Sequence, residues 1–290
     1  MPLLGAHMSI AGGLYKALLR GKASGCSVIQ IFTSNRNQWK RKKPTADDIM
    51  AFQRVAEETS VKPVAIHTSY LINLGSTRKE VLGKSYRTLL DEMEAAELLA
   101  VPYVVMHPGS HLGEGESKGL RRVAEAISRA YGSRKLFNTT ILLETTSGQG
   151  TNLGYRFEHL AEIIALAEYP ARVGVCFDTC HAFAAGYDFR TLEAYEQLMT
   201  EFDRIIGLNR LYLFHVNDSK GLMGSRVDRH EHIGKGRIGL KAFSLFLRDR
   251  RFAHLPFLLE TPKGRDLKGK DMDVRNLQTL TNLMERVEKE

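Results

Sequence analysis

The sequence predicts an α/β fold: a (β/α)8 TIM barrel forming a single domain over residues 1–290. Three observations predict it. Eight short apolar runs recur along the chain, longer amphipathic stretches separate them, and most of the runs lead into a histidine, a glutamate or an aspartate. Strands covered on both faces read as near-continuous apolar runs. A parallel barrel then gathers the C-terminal ends of all its strands on one rim, where active sites lie.

In order, the runs are Leu3–Ala6, Val28–Phe32, Val64–Ile66, Tyr103–Met106, Thr140–Leu143, Val173–Phe177, Leu211–Val216 and Phe257–Leu259. Helical patterns lie between them. Ala46–Ser60 opens with Pro44 and Thr45, a helix start signal. Ser85–Ala100 sets Leu89, Leu90, Met93, Ala96 and Leu99 near one face. Further stretches are Lys118–Leu136, Phe157–Glu168, Thr191–Ile206, Leu240–Arg248 and Asp273–Glu290. The rival arrangement is an open doubly wound sheet. No glycine-rich phosphate loop directly follows an apolar run, so nothing supports nucleotide binding on such a sheet.

Composition narrows the class. With 43% hydrophobic residues and no apolar stretch of membrane-spanning length, the chain reads as soluble and without a signal peptide. Its three cysteines, 26, 176 and 180, suggest buried thiols in a reducing compartment, hence a cytoplasmic protein, in preference to a disulfide frame or a soft-metal site. The formal charge of +8 favours a polyanionic partner. Lys40–Arg41–Lys42–Lys43, just after Trp39, is the basic run best placed to touch phosphate; Arg248–Arg251 reads as a solvated face.

The ends of the runs carry the chemistry. Val64–Ile66 leads into His67, Tyr103–Met106 into His107, Thr140–Leu143 into Glu144, and Val173–Phe177 into Asp178, with His181 three residues on. His215 sits near the end of its run, and Glu260 follows Phe257–Leu259. One histidine at a strand end is more often hydrogen-bonded structure than a ligand. Repetition over six strands points to one converging site. In "SRVDRHEHIG", Asp228 and His230 alternate along an extended loop and so face one side, which turns Arg229 away toward solvent or phosphate. His232 reads as a surface histidine. Neutral imidazoles mixed with carboxylates suit zinc, with manganese or iron as alternatives. Nine donors exceed one tetrahedral shell, so two or three ions are expected, and paired ions suit phosphoryl displacement.

The chain resembles the endonuclease IV family of apurinic/apyrimidinic endonucleases. "GAHMSIAGGL" at 5–14, "IHTSYLINLG" at 66–75, "HPGSHLG" at 107–113, "ETTSGQGTNLG" at 144–154, "DTCHAFAAGYD" at 178–188, "HVNDSKGLMGSRVDRHEHIGKGRIG" at 215–239 and "LET" at 259–261 carry the resemblance over nearly the whole chain. It implies a barrel with three zinc ions. Glu144 would bridge the first and second, His67 and His107 complete the first site, Asp178, His215 and Glu260 the second, and His181, Asp228 and His230 hold the third. It implies attack by a metal-activated hydroxide on the phosphodiester 5′ to an abasic site in duplex DNA, leaving a 3′-hydroxyl and a 5′-deoxyribose phosphate, with trimming of blocked 3′ ends by the same chemistry. Glu144, Glu260 and His107 would be catalytic. Tyr70 matches a wedge that fills the gap in the duplex, and "FTSNRNQW" at 32–39 matches a second penetrating loop. There the chain departs from the family pattern, with Asn37 where an arginine stands two residues before the tryptophan; the adjacent Arg36 is the substitute. Lys235 is a second departure, at an acidic position in some members. His7 is a candidate for orienting a ligand or the substrate; His111 and Gln149 are weaker rim candidates. A monomer is expected. The rival functions are a sugar isomerase on the same barrel and a DNA-binding protein with structural metals.

Overall fold

In a computed structural model, residues 2–35, 37–39, 42–133 and 138–285 are described. Eight parallel strands close into a barrel: β1 (Leu3–Met8), β2 (Val28–Ile31), β3 (Lys62–His67), β4 (Tyr103–Met106), β5 (Thr140–Glu144), β6 (Val173–Asp178), β7 (Leu211–His215) and, last in sequence, β10 (Pro256–Leu259). Around the barrel the order is β1-β10-β7-β6-β5-β4-β3-β2, every pair parallel. Between β7 and β10 the chain makes a small antiparallel pair, β8 (Asp218–Ser219) with β9 (His230–Glu231). The expected barrel is therefore present, and all eight apolar runs are its strands.

The helices are α1 (Tyr15–Ser24), α2 (Ala46–Thr59), α3 (Lys79–Leu98), α4 (Glu116–Ser133), α5 (Phe157–Leu166), α6 (Thr179–Ala185), α7 (Leu192–Ile205), α8 (Leu240–Arg248) and α9 (Met272–Glu285). The Thr45 start signal is realised as a capping box: the Thr45 hydroxyl accepts from the Asp48 amide, and the Asp48 carboxylate accepts from the Thr45 amide. Two helices fall outside the expected stretches. In α1, Lys16, Arg20 and Lys22 thin out the apolar face, and only Ala17, Leu18 and Gly21 are buried. The short α6 is set by its cap, because the Asp178 carboxylate accepts from the His181 amide at 2.7 Å. Helix α3 also starts six residues before Ser85, in Lys79–Lys84, where Val81 and Leu82 stand among charged residues and Gly83. Among the described residues no helix is long and apolar enough to cross a membrane.

Strand alternation builds the site. Side chains two residues apart on a strand share a face. Val28, Ala65, Val105, Leu142, Cys176, Leu213 and Leu258, one from each of seven strands, form a separate, wholly buried cluster: the apolar layer inside the barrel. The first strand contributes Gly5 at this level; a Cβ there would lie 1.8 Å from the Val28 carbonyl oxygen. Two residues further along each strand, the same face carries His7, Gln30, His67, His107, Glu144, Asp178, His215 and Glu260. A polar ring thus sits directly on an apolar plug, at the C-terminal mouth of the barrel. The opposite faces of the strands pack on the helices in a much larger core that includes Phe177, Phe214, Phe246 and Phe257.

Candidate metal centre

Glu144, at the end of β5, lies at the middle of the ring and is wholly buried. Its Oε2 lies 3.0 Å from His67 Nε2 and 3.1 Å from His107 Nε2. Its Oε1 lies 2.9 Å from His215 Nδ1 and 3.2 Å from His181 Nδ1. The two oxygens of one carboxylate therefore face two neighbouring groups of donors. His67, His107 and Glu144 can meet at one cation; Glu144, Asp178, His215 and Glu260 can meet at another. On the far side of Asp178 a third group forms. His181 Nε2 is 3.2 Å from Asp228 Oδ2 and 3.4 Å from His230 Nε2, which is itself 3.4 Å from Asp228 Oδ1.

The protonation of these imidazoles tests whether a metal fits. The His67 Nδ1–H donates to the Thr68 carbonyl at 2.7 Å, that of His181 to the Thr145 carbonyl at 2.9 Å, and that of His230 to the Glu260 carbonyl at 3.2 Å. His215 uses the other nitrogen, donating from Nε2 to Gln30 Oε1 at 2.9 Å. The remaining nitrogen of each ring then faces carboxylate oxygens. Acceptors on both sides of a neutral imidazole leave one lone pair opposed to another, so each ring requires either a second proton or a shared cation. Four imidazolium ions in one buried cup would repel each other, whereas divalent cations satisfy all the facing lone pairs together. The donor set, imidazoles with carboxylates, is that of zinc and its neighbours.

The electrostatics agree. Burial disfavours ionisation of Glu144, yet His215 and His107 hold its carboxyl well below the ordinary range. Burial likewise opposes a charge on Asp228, but His181 and His230 keep its pKa lowered. His181 is pushed the other way: burial resists protonation, and Asp178 and Asp228 overcome it. His67 is also raised, burial being outweighed by Glu144 and Glu260. A cup of ionised carboxylates and cation-seeking rings is prepared for positive charge.

Above the cup, His107 is 28% exposed and Tyr70 is 54% exposed. The Tyr70 ring lies 5.8 Å from that of His67 and 6.2 Å from that of His107. Beside them opens a cavity of about 170 Å³ with a polar lining that includes Ser69, Asn73, Ser110 and Asn152.

The family described as "Xylose isomerase-like TIM barrel" matches residues 18–282. A protein of Geobacter sulfurreducens named "Probable endonuclease 4" is 51% identical over 283 residues, covering 98% of this chain and 95% of its own length. The chain belongs to the endonuclease IV family. The solved endonuclease IV of Thermus thermophilus superposes with a TM-score of 0.84 at 37% identity, covering 98% of this chain and 99% of that one. A D-tagatose 3-epimerase-like protein superposes at 0.72 with 19% identity, which shows the shared barrel alone.

Within this endonuclease IV family member, the nine candidate ligands lie together. Arg229 is exposed and donates from Nη1 to the Asp228 carbonyl at 2.8 Å. Asn37 is exposed in a loop; Arg36, Lys40 and Arg41 lie outside the described residues. His232 turns from the cup toward Asn276, whose Nδ2 donates to its Nδ1 at 3.1 Å. His111 accepts from the Gly113 and Gly115 amides, a turn-forming role, while Gln149 and Lys235 are exposed. Arg251 is bound to Asp249, and Tyr195 donates to the same carboxylate at 2.7 Å, so the second basic run is tied into the fold. All three cysteines are free and buried, and burial pushes each thiol up to about 12. Cys180 groups with Asp228 and His230, and the Cys176 thiol lies against His215.

Sequence reasoning missed three buried polar residues. Gln30 binds His215 and Glu260. Asn217 donates to Asp178 Oδ2 at 2.7 Å and accepts from the Glu260 amide at 2.8 Å. Asp218 accepts four backbone amides, from Ser219, Gly234, Gly236 and Ile238. It folds the segment that delivers Asp228 and His230 back over the barrel. Gly236 is required there: a Cβ would lie 2.4 Å from Asp218 Oδ1.

Proposed function

We propose that this chain is a zinc-dependent, DNA-repair deoxyribonuclease that hydrolyses the phosphodiester 5′ to abasic sites in duplex DNA. It leaves a 3′-hydroxyl and a 5′-deoxyribose phosphate, and it trims blocked 3′ ends. The observation that carries the reading is Glu144, whose Oε2 faces His67 and His107 while its Oε1 faces His215 in the adjoining group. Three ions are proposed: one at His67, His107 and Glu144; one at Glu144, Asp178, His215 and Glu260; and one at His181, Asp228 and His230, whose donor atoms lie 3.2–3.4 Å apart. Zinc held there would supply Lewis acidity and a water acidified toward neutrality.

The chain's own residues supply the rest. Glu144 sets the spacing of the two adjoining groups, and Glu260, 11% exposed, is placed to orient the attacking water. His107, more open, borders the path by which a phosphate enters. The small polar cavity beside it suits a deoxyribose without a base, and such a nucleotide leaves the duplex readily because nothing must be unstacked or unpaired. Tyr70 stands where it can fill the vacated space, and Asn37, Arg229 and Arg36 are the proposed contacts to the DNA. The names of the relatives, endonuclease 4 and endonuclease IV, support this reading over sugar isomerisation. A cytoplasmic monomer is proposed with it.

The test is incubation with a duplex carrying one abasic analogue, with and without prior chelation. Metal-dependent nicking on the 5′ side is expected. Turnover of ketoses with an intact duplex defeats the proposal.

A further inference from the structure

Among the described residues, two of the eight strands give no member to any of the donor groups: β1 and β2. At the level of the polar ring they present His7 and Gln30, which are register partners across the β1–β2 ladder. Gln30 is fully buried in the run Val28-Ile29-Gln30-Ile31, whose other members are equally buried aliphatics. An amide in such a strand is costly unless its donors and acceptor are all used. Here they are. Its Nε2 donates to Glu260 Oε1 at 2.7 Å and to His7 Nδ1 at 3.0 Å, and its Oε1 accepts from His215 Nε2 at 2.9 Å. The partners fix which end of the amide is which. Turned over, Oε1 would face the Glu260 carboxylate, oxygen against oxygen.

We infer that Gln30 is a positioning residue for the metal centre, one that sets the tautomer of His215 and the rotation of Glu260 at the same time. The inference rests on the reading of this cup as a metal centre. Because the amide oxygen takes the proton on His215 Nε2, the lone pair falls on Nδ1, which faces Glu144 Oε1 at 2.9 Å and Glu260 Oε2 at 3.3 Å. His215 thus differs from His67, His181 and His230, whose inward tautomer is set by a backbone carbonyl. Of these four rings, His215 is the one held by a replaceable side chain. The same amide occupies Glu260 Oε1, leaving Oε2 as the oxygen turned toward His215. One side chain on β2 therefore prepares two ligands that arrive from β7 and from the end of β10.

The test compares metal retention in the parent, Gln30→Met and Gln30→Glu. Methionine keeps the length and apolar contacts and loses every hydrogen bond. Glutamate keeps the acceptor for His215 and sets a carboxylate against Glu260. Each protein is loaded with zinc and dialysed against a competing chelator, and zinc is counted by elemental analysis over time. Thermal unfolding of the fully chelated proteins supplies the structural control. The expected result is that Gln30→Met gives up one zinc roughly ten- to a hundredfold faster than the parent, the range for loss of a ligand-orienting partner. Gln30→Glu also loses zinc faster, and chelated parent and Gln30→Met unfold alike. In the zinc-loaded parent, the His215 Nε2–H is expected as a slowly exchanging proton in nitrogen-edited NMR spectra, and in Gln30→Met it is lost to exchange. If Gln30→Met does not fold, Gln30→Glu and the parent NMR signal decide. Zinc retention equal to the parent in the folded variants overturns the inference while leaving the metal centre intact. A parent that takes up no zinc overturns the metal centre, and the inference with it.

Discussion

Glu144 is wholly buried and has four imidazole nitrogens within 3.2 Å, whereas Tyr70, three residues beyond His67, is more than half exposed, and its ring stands near 6 Å from those of His67 and His107. The two residues stand for two regions built in different ways. Six of the nine cup donors are fixed by strand alternation, two residues past an apolar plug, and His181, Asp228 and His230 are added from α6 and the 218–238 segment; backbone carbonyls or Gln30 stand behind the rings of His67, His181, His215 and His230. The rim is made by loops, in which Asn37, Tyr70 and Arg229 stand in solvent. Pre-organised donors suit chemistry that needs fixed charge, and under the proposed function the solvated side chains of the rim are the ones that meet the DNA. Substitution in the cup should therefore act on the chemical step or the fold, and substitution in the rim on binding.

The largest effect is expected at the centre of the cup. Glu144→Gln keeps the shape and removes the charge that opposes His67, His107, His181 and His215. Under the proposed function, cleavage of an abasic duplex should fall by about 10³-fold or more, equivalent to roughly 4 kcal/mol of barrier, while far-UV circular dichroism is unchanged. Glu260→Gln should behave similarly. Nicking at parental rates by either variant would remove the cup from the mechanism.

Next is Asp218→Asn, which touches no donor but supports the third group. Four amides donate to this buried carboxylate, and an Asn offers one acceptor where Asp offers two. A loss of about 2–4 kcal/mol in unfolding free energy is expected, since hydrogen bonds to a buried charge are the costly ones to break. Denaturant titration measures it. A loss below about 0.5 kcal/mol, the usual range for a surface substitution, would show that the 218–238 segment is held by something else.

These two residues also mark what the sequence disclosed. Glu144 was legible because a carboxylate ending a run of Thr140–Leu143 has no apolar reason to be there, and the same logic found His67, His107, Asp178, His215 and Glu260. Asp218 and Asn217 were not, because they sit past the end of β7 in a polar stretch where an aspartate or asparagine is unremarkable. Gln30 carried a faint signal, one amide among aliphatics, but its partners His215 and Glu260 lie 185 and 230 positions away and no local pattern names them. The strands were legible to within two residues at each end because each run is buried on both faces. Helix α1 was not, since its buried side is three residues wide and interrupted by charge.

The cup also makes a prediction about pH. With metal removed, His67, His181 and His215 have raised pKa values in the folded protein. Raised values mean that the folded state holds these protons more tightly than the unfolded chain. Their stabilisation is complete below the ordinary value of about 6.5 and fades as pH climbs through the folded values. A metal displaces the same protons, so it binds more tightly as pH rises. The gap in melting temperature between zinc-loaded and chelated protein should widen steadily from pH 6 upward. A gap that stays constant would mean that the imidazoles do not exchange protons for metal. Under the proposed function the rim takes no part in this: Tyr70→Ala should leave the gap untouched while weakening binding to an abasic duplex by about 1–3 kcal/mol, the scale of one lost aromatic contact to DNA.

The smallest effect belongs to Arg229, and it separates the two regions most cleanly because Arg229 lies between two donors of the cup, Asp228 and His230, yet is exposed. Its guanidinium bonds to the Asp228 backbone carbonyl, so Arg229→Ser removes a charge from the rim without removing a side-chain contact from the cup. If the guanidinium meets a phosphate, the dependence of log affinity on log salt should lose about 0.9 from its slope, one counterion's worth, with affinity falling equally for damaged and intact duplex. The turnover rate at saturating DNA should not change, and neither should the zinc content. A fall in turnover with an unaltered salt slope would place Arg229 in the cup's work, holding Asp228 through its backbone, and would erase the boundary drawn between the two regions.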